Sequence, residues 1–309
     1  MIIHLMKSKL NGVARLAHLG VIRAEGVDAA HFLQGQLTQD FLQLGLSEAR
    51  LTAYCSAQGR MLASFWGFKR SATEILLVCS RDILPATLKN LSRFVLRAKV
   101  KLVDASDEYS LYGLAGAALE AFVSDTHAPW DKVDIGAASV VFLYPSDGVR
   151  RILWLAPVDQ AAPAGTPLSI ELWALSEVHS GIAMITSPVV QALVPQMLNY
   201  ESVGGVSFKK GCYPGQEVVA RSQFRGTLKR RAFAAHSEAP MKAGDEVFQE
   251  ADPDQPCGLV AQAAAAPRGF DAIVSLQIAA ADAGGLHLGS VSGPALSTAP
   301  PPYPLLADI

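Results

Sequence analysis

Cysteine is scarce in this chain and poorly spaced for metal. The 309 residues hold four, Cys55, Cys79, Cys212 and Cys257, far apart in sequence. There is no CxxC pair and no Cys/His cluster at ligand spacing, which argues against a zinc ribbon or a disulfide framework. Charge is sparse as well: 17% of residues are charged and the formal net charge is −2. Bulk electrostatics therefore do not carry the chain onto nucleic acid or anionic lipid, and any basic site must be local. No apolar run approaches the ~20 residues that span a bilayer. Met1–Leu10 carries Lys7 and Lys9 without a long apolar core after them, unlike a secretory signal. The expectation is a monomeric cytoplasmic protein with reduced thiols and no membrane association.

What is present is apolar material. Half the residues are hydrophobic, enough for sizeable cores, and the length suits two or three domains. Leu16–Glu25 reads as a strand that Gly26 ends. Asp28 is placed to N-cap a helix over Ala29–Leu37. Arg50–Cys55, Met61–Phe68 and Thr73–Cys79 read as strands separated by turns. Ile83–Leu96 has helical spacing. Val100–Asp104 and Ser110–Ala115 read as strands, followed by a small-residue helix near Ala117–Val123. The pattern is α+β. The signal weakens from Asp125 to Gly165, where Val140–Tyr144 and Ile152–Leu155 are short strand candidates. Ser169–Ile182 reads as a helix with Gly181 near its end. Beyond Arg231, short strands at Ala232–His236, Glu246–Gln249, Gly258–Ala263 and Ala272–Ile278 suggest a small β-barrel or sandwich. The Ala-rich stretches there read as composition bias, and the tail at Pro300–Pro302 as extended.

The segment Gly204–Arg231, GGVSFKKGCYPGQEVVARSQFRGTLKRR, carries the most chemistry. Its glycines permit tight turns, and Pro214 suits the first turn of a helix over Pro214–Arg221. Cys212 would then lie just before a helix N-terminus, beside Lys209 and Lys210. Dipole and cations would both favour a thiolate there. The competing reading is a small buried hydrophobe, the usual fate of a free cysteine. Cys55, Cys79 and Cys257 read as structural. Residues 209–231 hold seven cations against one acid, Glu217. That composition suits an anionic ligand tail or RNA phosphates, or simply a solvated basic turn.

Lys210-Gly211-Cys212-Tyr213-Pro214-Gly215-Gln216-Glu217 resembles the K-G-C-Y-x-G-Q-E signature of the YgfZ family. The likeness continues through Val218–Arg221 and Phe224-Arg225-Gly226 to Lys229-Arg230. Phe32–Thr38 resembles the family's early helix motif, and Ser56–Met61 its strand–turn–strand. Pro195-Gln196, Asn199 and Gly204-Gly205 resemble its lead-in to the cysteine. The resemblance implies a ring of three subdomains like the glycine-cleavage aminomethyltransferase. Residues 1–228 would form the folate-binding α+β region of two subdomains, and 229–309 a β-barrel-like domain. It implies tetrahydrofolate, or a one-carbon derivative, in a central channel, and support of iron–sulfur client proteins, including those that thiolate tRNA. By the resemblance Cys212 and Lys210 are the catalytic pair, and Trp173, Tyr213, Gln216, Glu217, Arg221 and Arg225 face the cofactor. No metal ligand is expected.

Two positions depart from the pattern. Leu19 stands where a second folate-associated tryptophan is expected. His179 stands where related folate enzymes carry a glutamate for the pterin's N–H edge, and a neutral imidazole cannot accept two such bonds. Three functions follow in order: a folate-dependent accessory factor for iron–sulfur proteins with a reactive Cys212; a one-carbon transferase on a protein or RNA amine; and a non-catalytic RNA-binding module using residues 209–231.

Overall fold

The computed structural model describes residues 10–120, 122, 126–224 and 228–306. Three sheets organise them. The described residues open with β1 (Gly12–Arg15), then cross to a second sheet at β2 (Leu19–Glu25). The sequence suggested one strand here. A turn in which the Leu19 amide donates to the Leu16 carbonyl splits it, and the halves serve different sheets.

The second sheet adds β3 (Ala49–Cys55), β4 (Met61–Lys69), β5 (Glu74–Ser80) and β6 (Lys101–Asp104), in the order β3-β4-β5-β2-β6. Its central strands are almost wholly buried, which is why β4 and β5 read as unbroken apolar runs rather than alternating ones. Two helices connect them, α1 (Ala29–Gln34) and α2 (Leu84–Ser92). Asp28 precedes α1 but makes no cap; its carboxylate accepts the Lys99 amide instead, 2.6 Å away.

The chain then returns to the first sheet through β7 (Tyr109–Ala115), a 3-10 turn at Gly116–Leu119, β8 (Lys132–Ile135), β9 (Ala138–Ser146) and β10 (Val149–Pro157). The order is β1-β7-β10-β9-β8, all antiparallel. Two short candidates thus become nine-residue strands. The apolar pattern was interrupted by Arg151, which is buried within β10 and satisfied there. Its guanidinium donates to the Tyr144 carbonyl at 3.1 and 3.0 Å and to the Ser176 hydroxyl at 3.0 Å. Burial pulls its pKa down to about 10, despite the charge of Glu177.

Helix α3 (Ile170–His179) is N-capped by the Ser169 hydroxyl and lies against the barrel. Helix α4 (Gln216–Phe224) follows the cysteine loop. The C-terminal part is a closed six-stranded barrel: β11 (Arg230–Ser237), β12 (Glu246–Gln249), β13 (Gly258–Ala265), β14 (Phe270–Gln277), β15 (Leu286–Leu288) and β16 (Ala295–Ala299). The alanine run read as composition bias forms a short helix, α5 (Ile278–Ala283). The tail docks: Tyr303 is buried and donates to the Gly181 carbonyl at 2.9 Å.

Candidate functional site

The expected site residues fall into two groups. The first surrounds Cys212. Three segments distant in sequence hold its loop. The Thr38 hydroxyl donates to the Gly205 carbonyl at 2.7 Å, the Ser207 backbone amide to the Thr38 carbonyl at 2.9 Å, and the Gln39 side-chain Nε2 to the Gly204 carbonyl at 2.6 Å. Further along, the Gln196 side chain donates to the Val219 carbonyl at 2.6 Å. Between these clamps the loop lies on the β3–β4 turn. Gly215 takes φ +80°, and a Cβ there would stand 2.4 Å from the Ser56 carbonyl oxygen and 2.7 Å from the backbone of Gly59.

Lys210 points inward. It is 7% exposed, and its ammonium donates to the carbonyls of Gln34 and Leu37, the latter at 2.5 Å. It thereby satisfies the orphan carbonyl of Gln34 at the C-terminal end of α1, where a cation also complements the helix dipole. The ammonium also lies 4.6 Å from the centre of the buried Tyr213 ring. Burial pulls its pKa down to about 8, against the opposing charges of Asp40 and Cys212.

Cys212 itself is exposed; the other three thiols are buried. It lies four residues before Gln216, where α4 begins, so it is not at the helix N-terminus. The helix dipole fades beyond the first turn and does not reach the thiol. What distinguishes Cys212 is access. Among the described residues no group of three or more His, Cys, Asp or Glu side chains is arranged to hold a metal.

The cations of residues 209–231 do not form one basic surface. Lys210 is buried. Arg231 is buried against Glu201 at 2.7 Å. Arg230 is half-buried and donates to the carbonyls of Cys257 and Pro256. Arg221 pairs with Glu217 one helical turn away at 2.6 Å, both exposed. Gln216 opens α4 and is half-buried. Arg225 lies outside the described residues.

The second group lies where all three sheets meet. Trp66 comes from the second sheet, Tyr144 and Arg151 from the first, Glu177 from α3 and Gln262 from the barrel; Trp130 completes the wall. Trp173, the expected aromatic platform, is fully buried beneath this surface. Its ring packs so closely on Gly113 that a Cβ there would stand 2.5 Å away, and the Arg151 guanidinium sits 5.2 Å from its centre. Its indole N–H donates to Glu177 at 2.9 Å.

The carboxylate that lines this cavity is Glu177. Residues 173 and 177 share a helix face, while 179 lies about 200° round from 177. His179 therefore does not line this cavity. Trp66, Trp130 and Gln262 were also missed; each is apolar or neutral, on a strand or loop without a motif. Leu19 is a buried core residue.

His179 instead joins α3 to the barrel. Its Nδ1 lies 2.7 Å from Asp147 and its Nε2 2.7 Å from Asp271, whose other oxygen lies 2.7 Å from His236. Burial pushes its pKa down, but the two carboxylates outweigh this and raise it to about 9. A raised folded-state pKa means stability present in full below the unfolded value near 6.5 and lost as pH rises through 9. The melting temperature should therefore fall between those limits, by the equivalent of about 3 kcal/mol. His179→Gln should flatten that part of the profile; a variant with the same slope would rule out His179 as its origin.

No family model matches the chain. Relatives do. It is 31% identical over 252 residues to the tRNA-modifying protein YgfZ of Colwellia psychrerythraea, covering 76% of this chain and 75% of that one. It is 31% identical over 234 residues to the protein of that name from Enterobacter sp. strain 638, covering 72% and 71%. It is 32% identical over 228 residues to that from Edwardsiella ictaluri, covering 69% and 67%. Among solved structures, the glycine cleavage system aminomethyltransferase T from Bartonella henselae superposes with a TM-score of 0.68 at 15% identity, covering 96% of this chain and 87% of that one. The α+β architecture with its terminal barrel is therefore the aminomethyltransferase fold.

Proposed function

Because the chain belongs to the YgfZ family, we propose that it is a folate-binding accessory protein that supports assembly or repair of iron–sulfur enzymes, tRNA-thiolating ones among them, through the thiol of Cys212. The observation that carries this reading is the contrast among the thiols. Three are buried, and the exposed one sits on a loop held in place by bonds to residues 37–38 and Gln196 and by the Ser56–Gly59 turn. A thiol kept accessible on a fixed backbone suits transient bonding to a partner. One thiolate does not hold a cluster, which usually takes four ligands, so a client or a small thiol supplies the rest.

The channel's chemistry fits a reduced pterin. Glu177 offers a carboxylate whose position Trp173 and Gln262 set, the latter by a 3.3 Å bond long enough to exchange. Trp66, Trp130 and Tyr144 supply aromatic walls. The side chains leave a cavity of only about 10 Å³, so a pterin binds by moving them. Met184 and Gln262, both half-buried, are the adaptable members. When bound, tetrahydrofolate supplies a carrier for one-carbon units. The chain's own part is to orient the ring on Glu177 and exclude water.

Calorimetry with tetrahydrofolate tests this part. Wild-type protein should bind and its tryptophan fluorescence should fall. Glu177→Gln should weaken binding about 10- to 100-fold, the worth of a charge-assisted pair. Trp173→Phe should weaken it less, by loosening Glu177. No heat and no thermal shift at millimolar folate would reject the assignment. Glu177 also gives the second reading, one-carbon transfer to a protein or RNA amine, a channel carboxylate that general acid–base chemistry requires.

A further inference from the structure

The strongest unexplained surface lies away from both groups. From Ile83 to Val103 there is no acidic residue, while Lys89, Arg93, Arg97, Lys99 and Lys101 fall within thirteen residues. All five are exposed, and among the described residues none has an ion-pair partner. Between them Phe94 is 51% exposed and Leu96 86% exposed. The loop is not loose: the Phe94 amide donates to Leu91 and that of Val95 to Ser92, at 3.0 and 3.2 Å.

Local structural roles account for some of these residues. Lys89 complements the C-terminal end of α2, and Lys101 guards the edge strand β6, as lysines on edges do. Neither role explains an aromatic ring and a leucine held in solvent between arginines. Among the acids near it, Glu25 lies opposite Lys101 in register and 3.6 Å from Arg23, the Asp28 carboxylate accepts the Lys99 amide, and the flanking Asp82 and Asp104 accept from Ser187 and Ser106.

We propose that this loop between α2 and β6 is a docking surface for RNA, with Arg93, Arg97 and Lys99 on phosphates and Phe94 stacked on an unpaired base. Charge complementarity commits the surface to a polyanion, and the exposed ring selects one with π-faces. Its place in the fold connects it to the thiol. Lys99 exchanges hydrogen bonds with Asp28 at the start of α1, and Lys210 caps the end of α1. A six-residue helix is about 9 Å long, so the patch and the Cys212 loop stand at opposite ends of one short element. An RNA held on the loop lies within reach of whatever Cys212 engages. The inference is independent of the folate reading.

The test is fluorescence anisotropy with full-length protein and a fluorescein-labelled RNA stem–loop over a salt series. Wild type should bind with an affinity that falls as salt rises. Arg93→Ala/Arg97→Ala should weaken binding at least about tenfold at low salt and reduce the log–log salt slope by about 1.5. Phe94→Ala should weaken binding about fivefold or more without changing the slope, and should have no effect on the stem lacking its loop. Lys209→Ala/Lys229→Ala should change neither. Melting curves and folate calorimetry on each variant establish that the fold and the channel are intact. An unchanged slope in the double arginine variant would overturn the proposal. So would polyglutamate displacing the RNA at equal charge, since the surface would then belong to an acidic protein.

Discussion

Cys212→Ser is expected to abolish rescue of a strain lacking its own family member, scored by the activity of an iron–sulfur enzyme. The fold should not change: the residue is exposed, and surface replacements away from special features cost less than about 0.5 kcal/mol. Full rescue by the serine variant would end the account of the site. The chemical correlate is selective alkylation. Burial pushes the Cys55 thiol up to about 12 and those of Cys79 and Cys257 upward as well. Thiolate is the reacting form, so a thiol near 12 offers about a thousandth of the thiolate of an ordinary one at neutral pH. Iodoacetamide, followed peptide by peptide, should therefore label Cys212 well before the other three. Cys257 keeping pace would show that access does not distinguish them. Lys210→Ala should reduce rescue for a different reason than a lost cation beside the thiol. It uncaps the carbonyls of Gln34 and Leu37 and unmoors the loop.

Gly215→Ala is expected to have the largest effect on stability of any single methyl added to the loop. Two costs combine. Its φ of +80° is a left-handed conformation that costs an L-residue about 1–2 kcal/mol. The new Cβ would also stand 2.4 Å from the Ser56 carbonyl oxygen, a contact only backbone movement relieves, at about 1–3 kcal/mol. Gly211→Ala is the matched control. It lies four residues earlier in the same loop, without a positive φ, and nothing stands within 4 Å of its Cβ. Denaturant melts should show a loss of roughly 2–5 kcal/mol for the first and almost none for the second. Rescue should fall with the first, because the loop that presents Cys212 no longer seats on the Ser56–Gly59 turn. Equal stability of the two variants would show that the seating contributes nothing.

Much of the architecture was legible in the residue order. β4, β5 and the barrel strands β11 to β14 appear where apolar runs meet Gly, Pro and Asp, because strand formation there follows local pattern. The KGCYPGQE string singles out Cys212 among four thiols. The misreadings have specific causes. Leu16–Glu25 looked like one strand because a turn between two sheets needs no breaker residue when both halves are apolar. β10 looked short because Arg151 interrupts its apolar pattern, and its acceptors, Tyr144 and Ser176, are brought to it by a neighbouring strand and a helix.

The sequence by itself determined the family motif, the identity of the candidate thiol, the α+β pattern and the terminal barrel. These rest on contiguous residues and on periodicities of a few positions. Only the tertiary structure decided which charges are available. Seven cations in residues 209–231 promised a basic surface, yet burial and distant partners occupy several of them: Lys210 by α1, Arg231 by Glu201, Arg230 by Pro256 and Cys257. Five cations in residues 89–101 drew no notice, yet they remain in solvent. The tertiary structure likewise turned Glu177 toward the cavity and His179 toward Asp147 and Asp271, because which face of α3 turns inward depends on the sheets it packs against. A side chain's charge is written in the sequence. Whether it is free to act depends on partners that folding brings together across tens to more than a hundred residues.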